Sequence, residues 1–226
     1  MINQHLWATD RSYFRSLFGS QIMMKLTPNP TAKLTGMLML ASACIFNPSY
    51  AEELASPAEF NDSNELILPL DYREWVQVGA NVSPNELNNG KAPFNEMRTI
   101  YMDRGAFQHW KKTGEFRTGT LLLKEVMGVE RYKGLTGSGY AAGEVVAVAG
   151  MLKDPVKFAD EPGNWGFFRY AKLENSDLFQ KTSKQLPTDK CSGCHTSGAQ
   201  DDMVFTQHYP VLTDSKGTGR VAVPVE

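Results

Sequence analysis

Two apolar stretches, TGTLLLKEVMGV at residues 118–129 and YAAGEVVAVAGML at 140–152, flank the segment KGLTGSG at 133–139. Both stretches are rich in residues that favour strands, whereas the segment between them is rich in glycine and favours a turn. Further candidate strands are FNEMRTIYM at 94–102 and NWGFFRYAKL at 164–173. The sequence therefore predicts a mainly antiparallel β-sheet built from these strands.

Short helices are predicted between the strands. Asp103 is a suitable N-cap for a helix with Trp110 on its apolar face, and Gly114 can end this helix. Asp154, which is followed by a proline, predicts the start of a second short helix. A C-terminal helical segment is predicted at 176–186, and it continues at 201–209.

The composition is that of an ordinary globular protein. The chain has 226 residues, of which 42% are hydrophobic and 21% charged, and its formal net charge is −2. A charge this close to zero gives no electrostatic reason to expect a nucleic-acid partner. We expect one α+β domain at 52–226, with short helices beside the sheet and a helical segment near the C-terminal end.

An export signal is predicted ahead of this domain. LTGMLMLASACIF at 34–46 is apolar and uncharged, but it is too short to span a bilayer, which takes about 20 apolar residues. Lys25 and Lys33 precede it, and PSYA at 48–51 provides small residues for cleavage after Ala51. This order is typical of a secretory signal peptide. We therefore expect a periplasmic protein.

Residues 1–51 are accordingly predicted to be an upstream extension and a signal peptide. Translation from Met24 gives a signal of more typical length than translation from Met1, and both starts stay open. A buried hydrophobic helix is an alternative interpretation of the apolar segment, as is a lipoprotein attached through Cys44.

Two of the three cysteines follow the predicted cleavage site, and they form CSGCH at 191–195. This spacing is the attachment sequence of a c-type haem. Cys191 and Cys194 can form thioethers with the two vinyl groups of one porphyrin, and His195 can then bind the iron. We expect one covalent haem c per chain, attached to the C-terminal helical segment. A redox-active thiol pair and a structural zinc site are the alternatives.

The motif lies near the end of the chain, which bears on the second side of the haem. Met203 follows too closely to reach across the ring. Residues upstream of Cys191 must therefore form the face opposite His195, and this predicts an open coordination site. An electron-transfer cytochrome with a sixth ligand from His109, His208 or a methionine is the alternative.

Lys124 stands within an otherwise apolar strand pattern. Side chains alternate between the two faces of a strand, so Leu122, Lys124 and Val126 share one face. On the pattern alone, a lysine that extends its charged end from a half-exposed strand into water is the simplest interpretation.

The chain from Phe60 to Leu212 resembles the cytochrome P-460 family, in which one lysine bonds covalently to the haem. The related cytochromes c′-beta share the fold but lack this lysine. The resembling strings are YREWVQVGANVSPNELNNGKAPFNEMRTIYMD (72–103), FQHWKKTGEFRTGTLLLKEV (107–126), FADEPGNWGFF (158–168), LPTDKCSGCH (186–195) and DMVFTQHYPVL (202–212).

The resemblance implies a role for Lys124 that the pattern alone does not. Lys124 matches the family lysine that bonds covalently to a meso carbon of the haem. Apolar neighbours such as Leu122 and Val126 favour the uncharged amine that such a bond requires. The bond distorts the macrocycle and so changes the chemistry of the iron.

The resemblance also implies an enzyme that oxidises hydroxylamine at a five-coordinate haem, to nitrous oxide or to nitric oxide and nitrite. Hydroxylamine and nitric oxide are the expected small ligands, and a periplasmic protein such as a small cytochrome c is the expected electron acceptor. A homodimer is expected. The alternative is a non-enzymatic cytochrome of the c′-beta type that binds nitric oxide or carbon monoxide.

Oxidation of hydroxylamine needs a base that accepts protons. Residues 181–186 (KTSKQL), ahead of the motif, contain no carboxylate, so Glu96, Glu125 and Glu144 are the candidates. Arg98, in the shared string NEMRTIY, is a candidate contact of a haem propionate or of the open pocket. A solvated strand face is the alternative for Arg98.

Overall fold

The structure is a computed structural model that describes residues 55–219 of the chain. The predicted signal peptide, its cleavage after Ala51 and both start sites lie outside these residues. Within residues 55–219, no helix is long and apolar enough to cross a membrane. The assignment of 52–226 as one domain stays a prediction.

The described part of the chain contains seven strands and three α-helices. The strands are β1 (Leu66–Ile67), β2 (Val76–Ser83), β3 (Glu96–Met102), β4 (Leu121–Gly134), β5 (Gly137–Lys153), β6 (Trp165–Ala171) and β7 (Thr182–Ser183). The helices are α1 (Arg104–Thr113), α2 (Thr188–Gly198) and α3 (Pro210–Ser215).

Strands β2 to β6 form one antiparallel sheet in which sequence neighbours are also spatial neighbours. Strands β1 and β7 form a separate two-stranded sheet. The helices are short, and α2 and α3 follow the last strand. The predicted α+β class, mainly antiparallel sheet with short helices and a C-terminal helical segment, is confirmed.

Strands β4 and β5 form the predicted hairpin, which is longer than the pattern indicated. The two strands pair from Leu121, which lies opposite Leu152, as far as Gly134, which lies opposite Gly137. Residues 135–136 alone therefore form the turn. The turn predicted at 133–139 is therefore too long. Gly137 has a φ of 119°, which glycine adopts without steric cost, and this allows the tighter connection.

Helix α1 is confirmed with the predicted ends. The Asp103 side chain accepts a hydrogen bond from the Ala106 backbone N–H at 2.8 Å. Gly114 follows the helix in the left-handed conformation, with a φ of 75°. The helix buries Phe107 and Trp110 in the main core. Both its cap and its apolar face therefore agree with the sequence.

The helix predicted at Asp154 is wrong. The Asp154 carboxylate accepts hydrogen bonds from the backbone N–H groups of Val156 and Lys157, both at 2.9 Å. The Phe158 N–H donates a hydrogen bond to the Asp154 carbonyl, which forms a single turn. Sequence correctly indicated a cap here, but the chain turns back to β6 before a helix can continue.

Two predictions near the C-terminus are also corrected. Residues 176–186 contain bends and strand β7 rather than a helix, because Ser183 pairs with Leu66 in the small sheet. Residues 201–209 contain a turn at 202–203 and the short 3-10 helix Thr206–His208. Helix α2 instead contains the cysteine motif itself.

The main sheet has two covered faces. The face that carries Ile100, Leu122 and Phe167 packs against α1 and the C-terminal segment, and Cys191 packs against the same cluster. We call it the motif face. The opposite face, here the back face, packs against the segment that contains β1 and the 3-10 helix Tyr72–Glu74. The two faces therefore present different environments to neighbouring residues of one strand.

Candidate haem site

Helix α2 presents the three motif residues together. Cys191, Cys194 and His195 occupy positions i, i+3 and i+4, which lie on one side of an α-helix. Cys191 is half-buried and Cys194 is exposed. This arrangement suits a single porphyrin, because the two thiols can reach the edge of the ring while the imidazole reaches the metal at its centre.

The imidazole of His195 is held in a defined orientation. Its Nδ1 lies 2.6 Å from the Met203 carbonyl oxygen, and its ring lies between the rings of Phe167 and Phe205, with centroids 4.8 and 4.9 Å away. Burial among these groups lowers the pKa of His195, which favours the neutral form that binds metals. With Nδ1 engaged by this carbonyl, Nε2 is the ring nitrogen that remains to bind a metal.

Lys124 lies on the motif face near the cysteine motif. It pairs with Ala149 of β5, and Ile100 is its partner in β3. Its charge lies close enough to influence both Cys191 and His195. Burial raises the pKa of Cys191 and the Lys124 charge opposes this shift, whereas burial lowers the pKa of His195 and the Lys124 charge adds to it. The structure therefore brings together the lysine and the motif, which are far apart in sequence.

The Lys124 side chain is mostly covered, with 37% of its surface exposed. Burial is the main cause that lowers the pKa of its amine, and the Glu96 carboxylate opposes this shift. The nitrogen lies 3.9 Å from a Glu96 oxygen. Lys124 is thus more easily deprotonated than a lysine in water.

Arg98 is fixed beside this lysine. Its Nε donates to Glu96 at 2.5 Å, and its Nη1 donates to the Ser83 hydroxyl at 3.0 Å. Its charge also influences Tyr209, a buried residue of the C-terminal segment. Arg98 therefore belongs to the motif face and is not a freely solvated strand residue.

The three candidate carboxylates lie in different places. Glu96 is on the motif face, next to Lys124. Glu125 is on the back face, where it accepts a hydrogen bond from the Tyr72 hydroxyl at 2.7 Å. Glu144 is exposed and pairs with Lys172. Of the three, Glu96 alone shares the face of the lysine and the motif.

The structure describes both histidines that are candidate sixth ligands. His208 stacks on Phe205, whose ring also contacts the ring of His195. His109 lies in α1, where its carbonyl accepts a bond from Thr113. The open coordination site opposite His195 stays a prediction.

Sequence reasoning missed three groups at the site. Arg169 of β6 pairs with Ala149 and adds a third positive charge near Lys124. Phe205 flanks the His195 ring, and the Met203 carbonyl holds it. Strand pairing could have indicated Arg169. The Met203 carbonyl could not be identified, because every residue has a backbone carbonyl and the residue type does not show which one accepts a hydrogen bond.

These residues fit a haem better than a bare metal ion. Within residues 55–219, no group of three or more His, Cys, Asp or Glu side chains is placed to hold a metal. A single imidazole therefore suits a metal that brings its own equatorial ligands, as haem iron does. The basic residues Arg98 and Arg169 are also suited to the carboxylates of a haem.

Comparison with known proteins agrees with this geometry. The sequence model of the family described as Cytochrome P460 matches residues 69–206, more than half of the chain. No curated protein matches the sequence. The matched range includes Lys124 and the whole motif that ends at His195. The chain thus belongs to the cytochrome P460 family and is a haem-binding cytochrome.

Proposed function

We propose that the protein is an exported c-type haem enzyme that oxidises hydroxylamine at a five-coordinate haem. The products are nitrous oxide, or nitric oxide and nitrite, and the electrons pass to a periplasmic acceptor such as a small cytochrome c. The observation that carries the proposal is the position of Lys124. It is a mostly covered lysine on the motif face, within electrostatic range of Cys191 and His195.

Each motif residue has a distinct role in this proposal. Cys191 and Cys194 hold one haem c through thioethers, and Nε2 of His195 binds its iron. When bound, the haem supplies the redox chemistry and an open position for hydroxylamine or nitric oxide. The protein supplies attachment, orientation and proton transfer.

Lys124 would be the third covalent attachment. Its nitrogen must lose a proton before it can bond to carbon, and burial favours that loss. The bond would replace one hydrogen on Nζ and one on a ring carbon. Both hydrogens would leave as protons, and an oxidant of the peroxide class would take up the two electrons. A ring modified in this way would have altered electronic properties.

Proton removal from the substrate is assigned to Glu96. Conversion of two hydroxylamine molecules to nitrous oxide and water releases four protons and four electrons, so a nearby acceptor is needed. Glu96 is the candidate carboxylate on the motif face, and Arg98 holds it in place at 2.5 Å. Glu125 is separated from this face by the sheet itself. Arg98 acts here as the residue that positions Glu96.

The test is anaerobic addition of hydroxylamine and an artificial oxidant to the purified haem-loaded protein, with measurement of nitrous oxide in the headspace. We expect nitrous oxide from the unmodified protein and a loss of about 10²-fold or more for Glu96→Gln, as for removal of a catalytic base. Glu144→Gln, an exposed carboxylate, is the control and should keep its rate. Absence of nitrous oxide, nitric oxide and nitrite from the unmodified protein would contradict the enzyme proposal.

One observation favours the second candidate, a cytochrome of the c′-beta type that binds nitric oxide or carbon monoxide. Leu186, which precedes the motif, packs against the hydrophobic cluster on the motif face. This places an apolar side chain in the stretch where an enzyme would be expected to have a carboxylate. Gas binding without turnover, together with an ordinary c-type spectrum that Lys124→Ala leaves unchanged, would support this candidate.

Export and assembly complete the proposal. The predicted signal peptide at 1–51 would deliver the chain to the periplasm, where thioether attachment takes place. We also propose a homodimer, which the family resemblance implies. Mass determination of the exported protein tests the first point, and light scattering during gel filtration tests the second.

A further inference from the structure

We propose that Lys153 and Asp202 form a latch that holds the Met203 carbonyl against His195, and so sets how strongly this histidine donates to iron. Both are positioning residues, because they act through the Met203 carbonyl. The inference rests on the proposed role of His195 as the iron ligand.

The Met203 carbonyl is carried by a tight reverse turn. The Val204 N–H donates to the Asp201 carbonyl at 2.7 Å, and the Asp201 N–H donates back at 3.3 Å. Asp202 and Met203, between them, have φ values of 40° and 67°. Such values are uncommon for residues other than glycine and are kept only where the surroundings hold them.

Lys153 provides one of the contacts that hold this turn. Its ammonium donates to the Asp202 carboxylate at 2.6 Å and to the Gly163 carbonyl at 3.0 Å, and it lies 5.3 Å from the centre of the Trp165 ring. The Lys153 side chain is 17% exposed. Asp202 is more accessible, with 35% of its side chain exposed, so the pair is shielded from solvent mainly on the Lys153 side.

The turn is also packed too closely for free adjustment. A Cβ atom on Gly163 would lie 2.9 Å from the Met203 Cγ and 3.1 Å from an Asp202 carboxylate oxygen. On the other side, Asp201 bonds to the Thr206 hydroxyl and to Lys216. The turn that carries the carbonyl is therefore held at both of its ends, and Lys153, at the end of strand β5, contacts it through Asp202.

The latch would affect the iron through the hydrogen bond between the Met203 carbonyl and His195. With Nε2 on iron, Nδ1 carries the proton and donates it to the Met203 carbonyl at 2.6 Å. A short bond of this kind makes the imidazole a stronger electron donor, which stabilises ferric relative to ferrous iron. Release of the turn should lengthen the bond, raise the reduction potential and weaken the iron–histidine bond.

The test uses haem-loaded protein and measures two quantities that do not depend on turnover. They are the reduction potential, by spectroelectrochemistry, and the iron–histidine stretching frequency of the ferrous protein, by resonance Raman. Lys153→Met and Asp202→Asn should each shift the potential upward and the stretching frequency downward. Lys153→Arg should restore most of both values. Lys172→Met, which removes an exposed ion pair, should change neither.

The outcomes separate this inference from the role of His195. Absence of an iron–histidine stretch in the unmodified protein contradicts the ligand assignment itself. Its presence, with unchanged frequency and potential in Lys153→Met, contradicts the latch. If Asp202→Asn does not fold, the comparison of Lys153→Met with Lys153→Arg decides alone.

Discussion

Lys124 and Glu125 are consecutive residues of strand β4, and their side chains lie on opposite faces of the same sheet. The Lys124 ammonium lies 3.9 Å from Glu96 on the motif face. The Glu125 carboxylate, 5% exposed, accepts hydrogen bonds from Tyr72 and Arg73 on the back face. Each charged group therefore has its own partners, and the sheet separates a group assigned to chemistry from one that stabilises the fold.

Removal of the Tyr72 hydroxyl should lower stability without changing the haem. The hydroxyl donates to buried Glu125 at 2.7 Å, and Tyr72→Phe removes this bond while Arg73 and Tyr101 still interact with the carboxylate. We expect a loss of about 1–3 kcal/mol in the free energy of unfolding, measured with urea. The absorption spectrum should not change, because this contact is on the back face.

Tyr132→Phe is the control for this change, since Tyr132 is 47% exposed on the hairpin. It should change the free energy of unfolding by less than about 0.5 kcal/mol. An altered Soret band in Tyr72→Phe would argue against the separation of the two faces.

The N-cap of helix α1 should give stability a defined pH dependence. The Asp103 carboxylate accepts hydrogen bonds from the N–H groups of Ala106 and Leu121, at 2.8 and 2.9 Å. Burial raises the pKa of Asp103 above its ordinary value of 3.8, although these bonds oppose the shift. The folded state therefore holds this proton more tightly than the unfolded state does.

The sign follows from proton linkage. As the pH rises from 3.8 towards the raised pKa, the unfolded chain releases the Asp103 proton first, so the folded state loses stability. Asp103→Asn lacks this titration. Urea unfolding across this range should show the wild type losing stability relative to the variant, and a constant difference at higher pH. A difference that is the same at every pH would refute this account.

Close packing between strand β2 and the C-terminal segment should make Gly79 intolerant of a side chain. A Cβ atom there would lie 2.3 Å from the Tyr209 Cδ1. Gly79→Ala should lower the free energy of unfolding by about 1–3 kcal/mol through overpacking. Gly128→Ala is the matched control, because its Cβ would meet nothing within 4 Å. Equal stability of both variants would mean that Tyr209 does not pack as described.

The sequence predicted the elements whose signals are local. Asp103 and Gly114 mark the ends of α1, and the β4–β5 hairpin has strong strand and turn residues. Strand β2 was missed because VQVGANVS contains polar residues and a glycine that lower its strand pattern. Residues 182–183 form a strand only because Leu66 and Ile67 supply a partner, which is tertiary information.

The same distinction applies to the site. The attachment motif is local, so Cys191, Cys194 and His195 could be identified from their spacing. The approach of Lys124 to this motif depends on sheet register and on the path of the chain back to α2, and the family resemblance indicated it where the pattern alone did not. The choice of Glu96 over Glu125 required knowledge of which face each residue occupies, and period-2 alternation does not say which face bears the haem.

The attachment of Lys124 to the haem is tested most directly by tryptic mapping of the purified protein with intact haem. A modified Lys124 resists trypsin, so peptides 118–131 and 191–216 should be released as one haem-containing species. In Lys124→Arg, trypsin should cleave at residue 124, and the haem should stay on 191–216 alone. Recovery of a free peptide 118–124 from the unmodified protein would contradict the proposed crosslink.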